Sequence, residues 1–91
     1  MINLPVNYDE LEWTERRAVR EEYIRRQKGL CYHCKKPIYA FPPKDKEVTV
    51  ELYPDGFFDN PIHLHHNHTT GMTIGAVHAY CNAVLWEYHG E

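Results

Sequence analysis

Two short metal-ligand pairs constrain this chain most strongly. Cys31 and Cys34 are separated by two residues in a turn-rich stretch, and His78 and Cys81 repeat the same spacing further along. Three cysteines cannot form a closed set of disulfides within one chain, whereas three thiolates and one imidazole complete the tetrahedral coordination of a structural zinc. The spacing therefore predicts one Cys3His zinc site. Four protein ligands leave no position for water, so this ion is expected to stabilise the fold.

The alternative interpretation is that the cysteines are small buried apolar side chains and that His78 is a core histidine. One pair alone would leave the two interpretations about equal. Two pairs with the same spacing favour zinc.

Size and hydropathy restrict the class of protein. A chain of 91 residues with 43% apolar side chains is expected to form one domain. No apolar stretch reaches the length of a membrane span, and the start of the chain lacks the basic and apolar segments of a signal peptide. The expected location is therefore cytoplasmic, or the host cytoplasm if the chain is encoded by a phage.

Charge is strongly polarised along the chain. All ten Lys and Arg residues lie between positions 16 and 46, whereas positions 47–91 carry acids and neither Lys nor Arg. A basic cluster of this size is suited to a polyanion. A solvated helix face is an equally good interpretation of the charge pattern alone.

Four histidines, His63, His65, His66 and His68, lie within six residues and precede a Thr-Thr-Gly turn. In a strand, alternate side chains share a face, so the first two histidines are expected to point away from the last two. So many imidazoles near apolar residues suggest a metal, a phosphate or solvent as their partner.

Local patterns predict a small α+β fold. A helix is expected from a Thr14 cap to about Gln27, with Trp13, Val19, Tyr23 and Ile24 on an apolar side and Gly29 after its end. Alternation predicts a half-buried strand over 48–52, then strands over 62–66 and about 72–77. A helix over 79–88 follows and stops at Gly90.

The position of Asn82 follows from helix geometry. His78 and Cys81 face the zinc site, and Asn82 projects about 100° further round the helix than Cys81. If this helix packs on the hairpin, the amide of Asn82 is expected to face the histidine cluster. Local backbone hydrogen bonds are the alternative for an Asn near a helix start.

The stretch from His63 to Gly71, followed by Gly75-Ala-Val-His-Ala-Tyr-Cys-Asn82, resembles the HNH (ββα-metal, His-Me finger) endonucleases, and most closely the recombination endonuclease VII type. The resemblance covers roughly residues 30–86. It implies a single HNH domain over 1–91, with an N-terminal helical segment (1–28) followed by the zinc knuckle and ββα-metal core (29–91).

The resemblance also implies roles for individual residues. Cys31, Cys34, His78 and Cys81 match structural zinc ligands, and His78 stands where this type usually has a cysteine. His66 matches the general base. His65 and Asn82 match the ligands of a catalytic divalent ion, and His65 replaces the aspartate of the endonuclease VII type. His68 and His63 match positions near the scissile phosphate.

The function implied is metal-dependent DNA hydrolysis, as nicking or double-strand cleavage of low sequence specificity. The catalytic ion would be Mg²⁺, Mn²⁺, Ni²⁺ or Zn²⁺, because an imidazole in place of a carboxylate weakens the preference for Mg²⁺. The residues expected to contact DNA are Arg16, Arg17, Arg20, Arg25, Arg26, Lys35, Lys36 and His63. A homodimer or a larger phage-type assembly is compatible with the sequence. The alternative is a weak or inactive zinc-stabilised HNH module that binds nucleic acid or a partner in such an assembly.

Overall fold

The computed structural model describes residues 3–90, which form two helices and one two-stranded antiparallel sheet. In chain order the elements are helix α1 (Trp13–Arg26), strand β1 (Ile62–His66), strand β2 (Thr73–His78) and helix α2 (Ala79–His89). The predicted α+β class is confirmed. No helix among the described residues is long and apolar enough to cross a membrane.

The N-cap of helix α1 lies two residues before the predicted cap. Glu12 is the N-cap, and it forms a capping box with Glu15, whose Oε1 accepts a hydrogen bond from the Glu12 N–H at 3.1 Å. The prediction of a Thr14 cap is wrong because carboxylates satisfy the free N–H groups of the first turn instead of a hydroxyl. The other end was predicted correctly: the chain leaves the helix at Gln27, and Gly29 adopts a φ of 77°.

The apolar side of α1 is shorter than predicted. Val19, Tyr23 and Ile24 are buried, whereas Trp13 is 75% exposed. The prediction that Trp13 packs with the other three is therefore wrong. Helix α1 contacts both strands, and its buried residues begin at its middle, with Val19.

The hairpin agrees closely with the sequence prediction. Strand β1 has the predicted bounds, and β2 begins and ends one residue later than predicted. Ile62 pairs with His78 and His65 with Gly75, after which a register shift places His66 opposite Thr73. This irregularity separates the last histidine of β1 from the regular alternation of the strand.

The turn between the strands is organised by Asn67. Its side-chain oxygen accepts hydrogen bonds from the backbone N–H groups of Thr69 and Thr70 at 2.7 and 2.9 Å. An asparagine that bonds the backbone two and three residues ahead mimics a backbone turn. The turn therefore holds β1 and β2 close together beyond their last regular pair.

Helix α2 follows β2 without a connecting loop. His78 is its N-cap and Gly90 its C-cap. Its buried face joins the apolar residues of α1 and the hairpin in one core. The members of this core are Val19, Tyr23, Ile24, Cys31, Ile38, Leu64, Ala76, Val77, Tyr80, Cys81, Val84 and Leu85.

The strand predicted over 48–52 is absent. The segment instead forms a short 3-10 turn at Val50–Leu52, and both of these residues are exposed. Side chains of α2 hold the segment in place: Glu87 accepts hydrogen bonds from the Thr49 N–H, and the Tyr88 hydroxyl donates to Glu47 O. Alternation of apolar and polar residues was misleading because this segment has no partner strand.

The N-terminal segment packs against the turn end of the hairpin. The Tyr8 N–H donates to Gly71 O at 2.7 Å, and the Thr73 N–H donates to Val6 O at 2.9 Å. The Thr73 hydroxyl oxygen in turn accepts from the Val6 N–H and lies 2.8 Å from the Tyr23 hydroxyl. These contacts bring Tyr8 beside the end of β1.

Gln27 joins α1 to the sheet through three hydrogen bonds. Its amide nitrogen donates to Leu30 O at 2.8 Å and to Ala76 O at 3.0 Å, and its amide oxygen accepts from the Ala76 N–H at 2.9 Å. Gly75 leaves room for this contact, because a Cβ at that position would lie 2.8 Å from the Gln27 oxygen. The Gln27 amide therefore forms hydrogen bonds with the backbone of β2 as a neighbouring strand would.

We expect Gln27→Ala to lower the free energy of unfolding by about 2 kcal/mol, because the Ala76 N–H loses its partner and the Leu30 and Ala76 carbonyls each lose a donor. Urea denaturation with zinc present would measure this change. Lys44→Ala, in an exposed loop, serves as the control and should change stability by less than about 0.5 kcal/mol. Equal stabilities of the two variants would show that Gln27 is dispensable.

Candidate functional site

Four residues converge into one group that can hold a metal ion. They are Cys31, Cys34, His78 and Cys81, and their ligand atoms all lie within 4.8 Å of one another. Cys31 and Cys34 come from the knuckle after α1, His78 from the end of β2, and Cys81 from the first turn of α2. The predicted convergence of the two pairs is confirmed, and the donor set suits a tetrahedral zinc.

His78 is oriented for coordination through Nδ1. Its Nε2–H donates to Ala40 O at 3.0 Å and lies 3.2 Å from Pro37 O, which leaves Nδ1 unprotonated. Nδ1 lies 3.4 Å from the Cys34 sulfur and 3.7 Å from the Cys81 sulfur. Tetrahedral ligands at usual Zn–N and Zn–S lengths are about 3.6 Å apart, so these distances suit one central ion.

The thiols of this cluster influence one another. A hydrogen bond from Cys81 lowers the pKa of Cys31 to about 4, and the same contact, together with burial, raises the pKa of Cys81. Burial raises the pKa of Cys34. A divalent cation would favour the thiolate form of all three, so metal binding would release protons.

The knuckle is attached to the sheet by its backbone. The Cys31 N–H donates to Lys36 O, and the Tyr32 N–H donates to Ala76 O at 2.9 Å. His33 is half-buried, lies beside His89 and is not a member of the four-residue group.

Asn82 faces the histidines, as helix geometry predicted. Its Nδ2 lies 3.1 Å from His63 Nδ1, and its Oδ1 lies 3.2 Å from His65 Nδ1. His63 Nε2–H donates to Phe57 O at 2.8 Å, so His63 Nδ1 must accept from the Asn82 amide. This chain of hydrogen bonds directs the amide oxygen of Asn82 towards His65.

These residues differ in their access to solvent. His65 is 1% exposed and lies behind Asn82, which is half-buried. His63, His66, His68 and Asn82 all line one cleft of about 740 Å³. The structure therefore brings Asn82 and three of the four histidines to a common surface and places His65 beneath it.

His66 is held by an aromatic stack. Its ring lies 3.9 Å from the Tyr8 ring at an interplanar angle of 5°, and the Arg16 guanidinium lies 3.9 Å from the same Tyr8 ring. Two groups so close to one ring centre must occupy its opposite faces, so Tyr8 lies between Arg16 and His66. No sequence signal identified Tyr8, because its position depends on packing of the N-terminal segment against Gly71.

Burial lowers the pKa of His66, and the charge of the neighbouring His68 acts in the same direction. The two rings are 4.8 Å apart. Burial also lowers the pKa of His63, with a further contribution from the charge of Arg20. Both imidazoles are consequently neutral at pH 7, the form that can accept a proton.

The basic residues predicted to contact DNA separate into three groups. Arg16, Arg17 and Arg20 line the cleft together with His63. Arg25 and Arg26 instead both pair with Glu22, whose pKa they lower to about 2. Lys35 and Lys36 are exposed on the knuckle, and the Lys35 amine lies over the Tyr32 ring. Only the first group shares a surface with Asn82 and the histidines.

Arg26 pairs with Glu22 at 2.7 Å. Arg25 also pairs with Glu22, whereas Glu21 lies 3.4 Å from Arg17. The Glu22 carboxylate therefore pairs with both Arg25 and Arg26, neither of which lines the cleft.

Comparisons of this chain with protein families, with curated proteins and with solved structures found no match.

Proposed function

We propose that this protein is a metal-dependent DNA endonuclease of the HNH class that hydrolyses phosphodiester bonds. The observation that carries the proposal is that one cleft is lined by two kinds of side chain. They are His66, His68 and Asn82 on the one hand and Arg16, Arg17 and Arg20 on the other. A neutral base next to side chains that bind phosphate is the minimum requirement for hydrolysis of a phosphodiester. The resemblance of the histidine stretch and of Asn82 to the HNH motif supports the same function.

His66 is the proposed general base. Burial keeps its imidazole neutral at pH 7, and the stack on Tyr8 restricts its orientation. A neutral imidazole can take a proton from the attacking water as the bond to phosphorus forms. His68, exposed at 4.8 Å from His66, is a candidate to contact the phosphate or the leaving group.

His65 and Asn82 are the proposed ligands of the catalytic divalent ion. His65 Nδ1 and Asn82 Oδ1 lie 3.2 Å apart, close to the roughly 3 Å between adjacent ligands of an octahedral ion. Such an ion would stabilise negative charge on the phosphate and on the departing oxygen. His63 and Phe57 support this role, because their hydrogen bonds direct the Asn82 oxygen towards His65.

The Cys3His group is proposed to hold a structural zinc. All four protein ligands are in place, so the ion would have no open position for substrate. Its contribution would be to fix β2, the knuckle and the first turn of α2 relative to one another.

Arg16, Arg17 and Arg20 are proposed to bind DNA through its phosphates. Contacts of this kind are independent of sequence and weaken with added salt. Low sequence specificity is therefore expected.

A binding module without cleavage is the second candidate. The observation that favours it is that Asn82 already forms hydrogen bonds with both His63 and His65, so that a cation would have to replace the contact with His65. Such a module would bind nucleic acid or a partner in a larger phage-type assembly. It would show no cleavage with any ion, and activity gained on adding a partner would point to the assembly.

Incubation of the purified protein with supercoiled plasmid in a series of divalent ions tests both candidates. We expect nicking or linearisation, with Mn²⁺ or Ni²⁺ supporting a rate at least equal to that with Mg²⁺, because His65 contributes an imidazole in place of a carboxylate. Cleavage with Mg²⁺ alone would contradict the assignment of His65. Intact plasmid with every ion would contradict the nuclease.

Tyr8→Ala is expected to lower the cleavage rate about tenfold, because small displacements of a catalytic group are costly. Tyr8→Phe retains the ring that contacts His66 and should keep most of the activity. Rates at saturating DNA separate this effect from weaker binding. Equal rates for the alanine and phenylalanine variants would show that the stack does not position His66.

A further inference from the structure

One face of α1 presents a tryptophan and three arginines to the cleft. Trp13, Arg16, Arg17 and Arg20 are spaced at i, i+3, i+4 and i+7, so they share one side of the helix, and all four line the cleft. At 1.5 Å per residue this stripe is about 10 Å long.

Two large aromatic side chains in this cleft are left open to solvent. Trp13 is 75% exposed and Tyr39 is 78% exposed, and both line the cleft. Single exposed apolar residues are ordinary. Two flat rings in the same cleft as three arginines form a surface that core packing does not explain.

The arginines of the stripe retain positive charge that is available to a ligand. Arg16 and Arg20 form no ion pair with any residue in the range 3–90, and Arg17 makes one exposed contact with Glu21 at 3.4 Å. Arg16 is fixed over Tyr8, on the face opposite His66. Arg16 and His66 both line the cleft, so an anion bound to Arg16 would lie in the same cleft as the proposed general base.

We propose that this cleft binds a nucleic-acid strand with unpaired bases, with phosphates on Arg16, Arg17 and Arg20 and bases stacked on Trp13 and Tyr39. The inference rests on the proposed function in so far as it names the substrate of that site. In a duplex the faces of the bases are covered by their neighbours, so exposed protein rings can stack only on bases that are unpaired. Arginines alone would bind the phosphates of a duplex equally well. The two aromatic side chains are therefore the reason to favour a single strand over a duplex.

Fluorescence titration of the full-length, zinc-loaded protein tests this proposal. His66→Ala is included in every variant to prevent cleavage, and Trp86→Phe leaves Trp13 as the single tryptophan. A thymidine oligonucleotide and a duplex of the same length are the probes. We expect the single strand to quench Trp13 and to bind about tenfold more tightly than the duplex.

Variants at the two rings provide the decisive comparison. Binding by these proteins is followed with a fluorescently labelled oligonucleotide. Trp13→Ala and Tyr39→Ala should each weaken single-strand binding about fivefold or more and change duplex binding less than twofold. Phe41→Ala is the control, because Phe41 is 94% exposed but does not line this cleft. Trp13→Tyr should restore most of the affinity.

Equal binding of the two probes, or equal losses for both probes in the ring variants, would overturn the proposal. A loss in Phe41→Ala as large as that in Trp13→Ala would do the same. The proposed function has a separate test, which is plasmid cleavage by the wild-type protein, in which His66 is present. Stacking without cleavage of any nucleic acid would retain this inference and reject the nuclease, whereas plasmid cleavage by the wild-type protein together with equal binding of the two probes would reject the inference alone.

Discussion

Replacing His66 with alanine is expected to lower DNA cleavage by about 100-fold or more, the usual contribution of a general base. The imidazole lies in the cleft beside Asn82, and burial keeps it neutral at pH 7. No other imidazole stacks on Tyr8 in the part of the chain that the structure describes, so no neighbour can take over the same position. Initial rates of plasmid nicking measure the effect.

DNA binding and zinc content should be unchanged in His66→Ala, because the arginines and the Cys3His group are intact. His89→Ala is the matched control, since His89 is an exposed histidine that does not line the cleft. Cleavage by the His66 variant at the rate of the His89 variant would exclude His66 as the base. A wild-type protein without cleavage would instead support the binding module.

Removing the zinc ligands is expected to unfold the domain. Structural zinc contributes about 10–16 kcal/mol in small domains, more than the roughly 5–15 kcal/mol total stability of a typical native protein. Cys31 and Cys81 are also buried within the apolar core, so loss of the ion would disturb the packing of this core. His78→Ala should therefore lose both the bound zinc and the cooperative thermal transition.

His33→Ala provides the control for the zinc site. His33 lies between the two knuckle cysteines in sequence but outside the four-residue group. Elemental analysis should find about one zinc per chain in wild type and His33→Ala, and much less in His78→Ala. A folded His78→Ala protein with an unchanged melting temperature would reject a structural role for the metal.

The ligand pattern and the hairpin were accessible from the sequence because both depend on short-range rules. Repeated two-residue spacings identified the four residues that could hold a metal ion, and alternation with a Thr-Gly turn identified both strands to within one residue. The direction of Asn82 followed from the angle between successive helix residues. These features required no knowledge of distant contacts.

The features that the sequence did not indicate depend on packing between distant segments. Tyr8 reaches His66 only because Gly71 and Thr73 bind the N-terminal segment, and Gln27 reaches Ala76 only when α1 lies on the sheet. The same limitation explains the strand wrongly predicted over 48–52. Its alternation was real, but helix α2, not another strand, is its neighbour.

The adjacency of Cys81 and Asn82 links the two sites covalently. One residue belongs to the sulfur cluster and the next faces the histidines, and both lie in the first turn of α2. An ion held by Cys81 would therefore also fix the backbone from which the Asn82 amide projects towards His65. Under the proposed function, the supply of zinc would thus govern assembly of the site, while cleavage would require a second divalent ion.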